Sequence, residues 1–150
     1  MMKIAVGSDH GGVELKEEIK KFLNDEGYEF KDFGTNSTES CDYPDYALPV
    51  AEAVAAKEYD LGILICGTGI GIGIAANKVP GIRAALCSDT FSAHATREHN
   101  NANILTLGQR VVGPGLAIDI VKTFLNTEFE GERHQKRIDK IAEIEKKYNK

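Results

Sequence analysis

Short apolar runs alternate along the chain with longer segments whose apolar residues recur at helical spacing. Residues 3–7 (KIAVG) form such a run, and Val13, Leu15, Ile19 and Leu23 follow it at roughly helical intervals. This pattern predicts a strand, a loop and a helix. The same reasoning predicts five strands, at residues 3–7, 28–33, 61–66, 82–87 and 103–107. It predicts helices between and after them, at residues 13–23, 44–55, 74–78, 88–99 and 113–125.

The regular alternation of strands and helices decides the fold class. Strands that are joined by helices pair in parallel through right-handed crossovers. Residues 61–66 (LGILIC) are the most apolar run, as expected of a central strand covered on both faces. Residues 28–33 (YEFKDF) alternate apolar and polar side chains, which is typical of a strand near a sheet edge. We therefore predict one Rossmann-like α/β domain over residues 1–150, a three-layer structure with a five-stranded parallel sheet.

The last segment of the chain, residues 132–149, carries a narrow apolar stripe among many charges. Ile138, Ile141, Ala142 and Ile144 recur at helical spacing, so this segment is predicted to be an amphipathic helix. Its apolar stripe could pack on its own domain or on a second subunit. We favour packing on a second subunit.

Charge and composition exclude several classes of protein. The net charge is −5 and acidic and basic residues are mixed along the chain, which argues against binding nucleic acid or an anionic membrane. The apolar run at the N-terminus is too short for a signal peptide, and no stretch reaches the length of a membrane span. Three cysteines without a Cys-x-x-Cys pair suggest neither a disulfide framework nor a zinc knuckle. We expect a soluble cytoplasmic protein.

The candidate chemistry follows the predicted strands. Ligands of open α/β sheets bind beyond the carboxyl ends of the strands, near the point where the strand order reverses. The segments at those ends are residues 8–12, 66–71, 88–89 and 108–110. They contain a Ser-Asp-His-Gly-Gly turn, a glycine-rich loop that begins with a cysteine, and an arginine.

The glycine-rich stretch ICGTGIGIGIAANK, residues 65–78, does not fit the known nucleotide loops. Its glycines lie at every second position, so the G-x-G-x-x-G register fails, and no G-x-x-x-x-G-K-[ST] is present. The glycines still allow several amides to converge near a helix N-terminus, where they can stabilise an oxyanion or a phosphate. Cys66 at the edge of this loop is either a nucleophile or general base, or a buried residue that ends a core strand. Cys41 and Cys87 are predicted to be structural.

The histidines and arginines give weaker signals. His94 and His99 are five residues apart and no carboxylate triad accompanies them, so no metal site is predicted. His99 and Asn100, at the end of a helix, could face a ligand or belong to a solvated helix terminus. Arg133 and Arg137 lie four apart and could grip a phosphate, with Arg110 as a third cation. The alternative is a solvated charged face that pairs with Glu130 or Glu132.

Seven segments in order resemble the type B ribose-5-phosphate isomerase family, which also contains galactose-6-phosphate and allose-6-phosphate isomerases. They are SDHGG at 8–12, DYPDYA at 42–47, CGTGIG at 66–71, IAANK at 74–78, GIRAAL at 81–86, REHNNANIL at 97–105 and ERHQKRI at 132–138. The resemblance covers essentially the whole chain. It implies interconversion of an aldose phosphate and a ketose phosphate through an enediolate, without a metal or other cofactor.

The resemblance also implies roles for individual residues. Cys66 would transfer the proton between neighbouring carbons, and His99 would open the furanose ring with Thr68 nearby. Some relatives carry a glutamate as the base at the position of Ile72, so this chain falls in the cysteine branch. The resemblance further implies a homodimer, or a dimer of dimers, whose sites combine residues of both subunits.

The remaining implied residues bind the substrate. The backbone amides of the loop would stabilise the enediolate oxygen; its residues are Gly67, Thr68, Gly69, Ile70 and Gly71. Asp9 and Asn100 would hold sugar hydroxyls, while His10, Arg110, Arg133 and Arg137 would bind the phosphate. We predict a ribose 5-phosphate isomerase. A hexose 6-phosphate isomerase and a non-catalytic nucleotide or sugar-phosphate binding module stay open as alternatives.

Overall fold

Five parallel strands form the centre of the structure, a computed structural model that describes residues 2–149. The strands are β1 (Lys3–Ser8), β2 (Glu29–Asp32), β3 (Leu61–Cys66), β4 (Ala84–Leu86) and β5 (Ile104–Gly108), in the order β2-β1-β3-β5-β4. The predicted five-stranded parallel sheet is confirmed. All six residues of β3 are buried, as its apolar sequence predicted, and β2 lies at an edge.

Helices cover both faces of the sheet. They are α1 (Val13–Asp25), α2 (Pro44–Ala55), α3 (Ile70–Ala76), α4 (Thr90–Glu98), α5 (Pro114–Leu125) and α6 (Arg133–Tyr148). The apolar cluster on one face joins the sheet to α1, α4 and α5, while α2 and α3 pack on the other face. The three-layer Rossmann-like architecture is therefore confirmed. Within residues 2–149, none of the helices is long and apolar enough to cross a membrane.

The glycine-rich stretch is the main local correction. The sequence predicted a loop followed by a helix at 74–78, whereas α3 begins at Ile70 and ends at Ala76. Gly69, in the left-handed region with φ 80°, ends the loop. Position 71, inside the helix, is a glycine because the Tyr43 ring packs directly on it. A Cβ there would lie 2.7 Å from that ring. Close packing, rather than loop flexibility, thus explains this glycine.

A buried lysine fixes the segment that follows β2. The Lys16 side chain is fully buried, and its ammonium pairs with the Asp32 carboxylate at 2.8 Å and donates to the Thr35 carbonyl. Burial alone would raise the pKa of Asp32, but hydrogen bonds from Lys16, Lys20 and the Gly34 amide outweigh it and lower that pKa. The stability that this carboxylate contributes is therefore present above its unfolded pKa and lost as the pH falls through its folded pKa.

We expect Lys16→Met to lower the free energy of unfolding by about 3 kcal/mol, because it removes one member of a buried ion pair. Urea unfolding followed by circular dichroism would measure this loss. Lys20→Met is the matched control, since Lys20 bonds the same carboxylate from a partly exposed position, and it should cost about 1 kcal/mol or less. Equal losses for both variants would contradict the role given to Lys16.

Candidate active site

The carboxyl ends of β1 and β3 lie where the order of the strands reverses. The chain passes from β1 outward to β2 at the edge and then crosses back to β3 on the other side of β1. Ser8 at the end of β1 pairs with Ile65, one residue before the end of β3. Ligands of open α/β sheets bind at such a point. The segments 8–12 and 66–71 therefore meet where the sequence predicted a site.

Cys66 ends β3 with its sulfur facing the glycine-rich loop. Cys66 is only 5% exposed, and the Gly69 amide donates to its Sγ at 3.1 Å. The Gln109 amide donates to the Cys66 carbonyl at 2.9 Å, which ties this strand end to the loop after β5. A hydrogen-bond donor aimed at the sulfur stabilises negative charge on it. The Cys66 sulfur therefore faces a backbone donor and not apolar neighbours alone.

Cys87 shows what a purely structural thiol looks like in the same protein. It is buried, and burial, with a smaller contribution from the Asp89 carboxylate, raises its pKa to about 11. A thiol with this pKa stays protonated at neutral pH. The structural interpretation of Cys87 fits its surroundings.

The loop from Gly67 to Gly69 is held by its neighbours. The Thr106 hydroxyl donates to the Gly69 carbonyl at 2.8 Å, and the Thr68 hydroxyl accepts from the Ile70 amide at 3.2 Å. A Cβ at Gly108 would lie 2.5 Å from the Thr68 carbonyl oxygen, so only glycine allows β5 to approach so closely. Within this loop, the Gly69 amide donates to the Cys66 sulfur and the Ile70 amide to the Thr68 hydroxyl.

Asp9 lies beside the same loop. It is buried, and its carboxylate accepts from the Gly11 amide at 2.9 Å while its own amide donates to the Ile65 carbonyl at 3.2 Å. Gly11 packs on Gly67, since a Cβ at Gly11 would lie 3.3 Å from the Gly67 nitrogen. The turn after β1 and the loop after β3 therefore form one continuous wall of the crevice.

The hydrogen bond made by His10 defines which ring nitrogen is available to a ligand. The Cys41 backbone amide donates to Nδ1 at 3.2 Å, and Cys41 Sγ lies 3.8 Å from the same nitrogen. Because a backbone amide can only donate, Nδ1 accepts and the proton of the neutral ring sits on Nε2. His10 can thus offer an N–H donor to an anion. This contact with Cys41 was not foreseen from the sequence.

Arg110 brings a cation to this edge of the sheet. Its backbone amide donates to the Gly67 carbonyl at 3.0 Å, and its side chain packs over Gly67, 3.6 Å from where a Cβ would lie. Two further residues lie at this edge, although the sequence assigned neither of them a role. Gln109 accepts from the Leu15 amide at 2.9 Å, and the Tyr43 ring covers Gly71. Gln109 belongs to the candidate segment 108–110 and Tyr43 to the DYPDYA segment, so both left a signal in the sequence.

His99 and Asn100 lie at the opposite edge of the sheet. In a parallel sheet the connecting helix runs back from the carboxyl ends to the amino ends of the strands, so α4 finishes at the amino edge. Arg83, directly before β4, donates to the Asn100 carbonyl at 3.1 Å and confirms this placement. β3 spans six residues, which at about 3.3 Å each separates the two edges by about 16–20 Å.

The start of α6 lies beside His99 and therefore also at the amino edge. The His99 and His134 rings stack with centroids 4.4 Å apart and planes 17° apart. Arg133 and Arg137 belong to the same helix, and Arg133 lies 3.8 Å from the Glu130 carboxylate. The ion pair with Glu130, the alternative considered from the sequence, is therefore present for Arg133 as a long surface contact.

One chain thus carries two separate half-sites. We call the carboxyl-edge group, formed by Asp9, His10, residues 66–71 and Arg110, the cysteine half-site. We call the amino-edge group, formed by His99, Asn100, Arg133 and Arg137, the histidine half-site. The first has a thiol, backbone amides and one cation, and the second has an imidazole and two cations. Within a single chain they lie at opposite edges of the sheet.

Comparisons with known proteins agree on one family. A family model described as Ribose/Galactose Isomerase matches residues 4–141. Ribose-5-phosphate isomerase B of Escherichia coli is 54% identical, over 99% of this chain and 100% of that protein. The structure of Clostridium thermocellum ribose-5-phosphate isomerase B matches with a TM-score of 0.98 at 64% identity, over 99% of this chain and 100% of that one. Mycoplasma genitalium ribose-5-phosphate isomerase B, solved with bound ribulose-5-phosphate, matches with a TM-score of 0.93 at 46% identity over 97% of both chains.

Proposed function

The chain belongs to the ribose/galactose isomerase family, and from this premise we propose that it interconverts ribose 5-phosphate and ribulose 5-phosphate in the cytoplasm. The reaction moves a proton between two neighbouring carbons through an enediolate. The observation that carries the proposal is the Cys66 sulfur, which receives the Gly69 amide at 3.1 Å in the crevice at the switch point.

The base and the amides have to act together. A proton beside a carbonyl is weakly acidic, so a thiolate removes it only if the enolate oxygen is stabilised at once. Cys66 takes the proton from the carbon next to the carbonyl and returns it to the neighbouring carbon. The amides of the Gly67–Gly71 loop stabilise the developing negative charge. Ile72 has a hydrocarbon side chain that cannot take a proton, and it is fully buried in the apolar cluster that includes Cys66.

The two half-sites become one site when two chains pair. We assign ring opening to His99, assisted by Thr68, and this requires His99 near the loop that carries Cys66. Since the half-sites of one chain lie on opposite edges of the sheet, the histidine half-site of one subunit would complete the cysteine half-site of its partner. Asp9 and Asn100 would then hold the sugar hydroxyls from opposite sides.

Exposed apolar side chains support this pairing. On α6, His134, Ile138 and Glu145 face the chain itself, and the Glu145 carboxylate accepts from the Gly81 amide at 3.0 Å. Ile141 and Ile144, towards the end of the same helix, are 49% and 61% exposed. Ile70 and Ile74 of α3, beside the cysteine half-site, are also about half exposed. A homodimer, alone or within a dimer of dimers, would remove these surfaces from water.

The phosphate would bind between His10, Arg110, Arg133 and Arg137. The Nε2–H of His10 and the exposed Arg110 guanidinium come from one subunit and the two α6 arginines, four residues apart, from the other. The phosphate does not react, so its contacts supply remote binding energy that orients the sugar. This binding favours a phosphorylated sugar over a free one.

A comparison of kcat/KM for four sugars tests the proposed function. We expect ribose 5-phosphate to be turned over with a higher kcat/KM than allose 6-phosphate and galactose 6-phosphate, and free ribose to be a much poorer substrate. A preference for either hexose phosphate would replace the substrate assignment while leaving the chemistry intact. Absence of isomerisation with every phosphorylated sugar would favour the non-catalytic binding module.

A further inference from the structure

A second cluster of ligand-type side chains lies at the amino edge of the sheet. One nitrogen of His99, one of His134 and a carboxylate oxygen of Glu130 all lie within 4.8 Å of one another. The Glu130 amide donates to the Glu98 carbonyl at 3.0 Å, which fixes the segment before α6 against the end of α4. The spacing of His94 and His99 argued against a metal site, but the fold brings His134 to His99 instead.

The buried nitrogen of His134 points into this cluster without a hydrogen-bond partner. Nε2 has no partner among residues 2–149, the side chain is only 9% exposed, and the Glu130 carboxylate lies 3.9 Å away. A buried polar nitrogen left unpaired costs free energy unless something occupies the position beside it. The position is therefore suited to a ligand that accepts a lone pair from nitrogen.

We propose that His99, Glu130 and His134 form a binding site for a zinc-class divalent transition-metal ion. Two imidazoles and one carboxylate are a donor set that suits Zn²⁺, Co²⁺ or Ni²⁺ better than Mg²⁺ or Ca²⁺. The site leaves a fourth position for water. The ion is an added one and takes no part in the isomerisation itself.

Binding requires two side chains to move. Ligand atoms at about 2.0–2.1 Å from one ion lie at most about 4.2 Å apart, and two stacked rings do not aim their lone pairs at one point. His99 is the ring that turns, because its side chain is 42% exposed while His134 is buried. Arg133, 3.8 Å from the Glu130 carboxylate and 64% exposed, swings away from it.

The expected consequence of binding is inhibition, and this part rests on the proposed function. An ion that holds the His99 nitrogen withdraws it from ring opening. Zn²⁺ should therefore inhibit turnover without competing for Cys66. The binding itself does not depend on the enzyme being an isomerase.

Calorimetric titration of the metal-free protein with Zn²⁺ tests the site. We expect one ion per chain in the wild type and in Cys66→Ala, and a Kd at least about tenfold weaker in Glu130→Gln and in His134→Gln. Losing even a residue that only orients a ligand typically costs about 10- to 100-fold in metal affinity. His94→Gln is the matched control, because His94 is an exposed histidine on α4 that contacts Glu98, at 2.9 Å, and lies outside the proposed site. The Kd of this variant for Zn²⁺ should equal that of the wild type.

The outcomes separate the site from the function. Unchanged affinity in both Glu130→Gln and His134→Gln, or loss of binding in Cys66→Ala, would place the ion elsewhere and overturn the proposed site. Binding without inhibition of ribose 5-phosphate turnover would overturn the inhibitory role. If the protein lacked isomerase activity altogether, the calorimetric result would still stand, and only the proposed function would fail.

Discussion

Replacing Cys66 by alanine is expected to lower kcat by at least about 10²- to 10⁴-fold, the usual contribution of a general base. The sulfur lies at the end of a buried strand with an amide donor at 3.1 Å, so the variant loses the base and keeps the loop that stabilises the enediolate. Because the phosphate contacts are untouched, KM should change much less than kcat. Steady-state kinetics with ribose 5-phosphate measure both.

Cys87→Ala is the matched control for this prediction. Cys87 is also a buried cysteine at the end of a strand, but burial raises its pKa to about 11 and keeps it protonated. Its replacement should leave turnover close to that of the wild type. A near-normal kcat in Cys66→Ala, with a circular dichroism spectrum that shows the wild-type fold, would contradict the assignment of Cys66 as the base.

The His99→Asn variant should also lose about 10²-fold or more in turnover of the cyclic substrate, since it removes the acid–base group assigned to ring opening. Asparagine keeps a polar side chain of similar size but cannot transfer a proton. Substrate that is already linear bypasses the step and should be turned over with a much smaller loss. Stopped-flow assays that start from linear and from cyclic sugar phosphate compare the losses of turnover for the two forms. Equal losses would count against ring opening by His99.

The sheet could be predicted from the sequence because its signals are local. The apolar run 61–66 became the fully buried β3, and the alternating run 28–33 contains the edge strand β2. The start of α3 was predicted wrongly because its glycines suggested a loop. Gly71 is required by the Tyr43 ring, and a contact between residues far apart in sequence leaves no local pattern.

The candidate site, like the fold, could be predicted from the sequence only in part. Residues directly after β1, β3 and β5, such as Asp9, Cys66 and Arg110, could be placed together because parallel strands share one carboxyl edge. His99 could not be placed with them, since it ends a helix between parallel strands and such a helix ends at the amino edge. The stack of His99 on His134 joins two helices that no spacing rule relates. It became visible only in the folded chain.

The central claim is that each site combines the cysteine half-site of one subunit with the histidine half-site of another. Two mixed dimers, each co-expressed with two different affinity tags and purified through both, test it most directly. In the dimer of Cys66→Ala with His99→Asn, one of the two sites is intact, so we expect about half of the wild-type activity. In the dimer of wild type with the double variant, both sites are defective and activity should be nearly absent. The reverse result, an inactive first dimer and a half-active second one, would contradict the account.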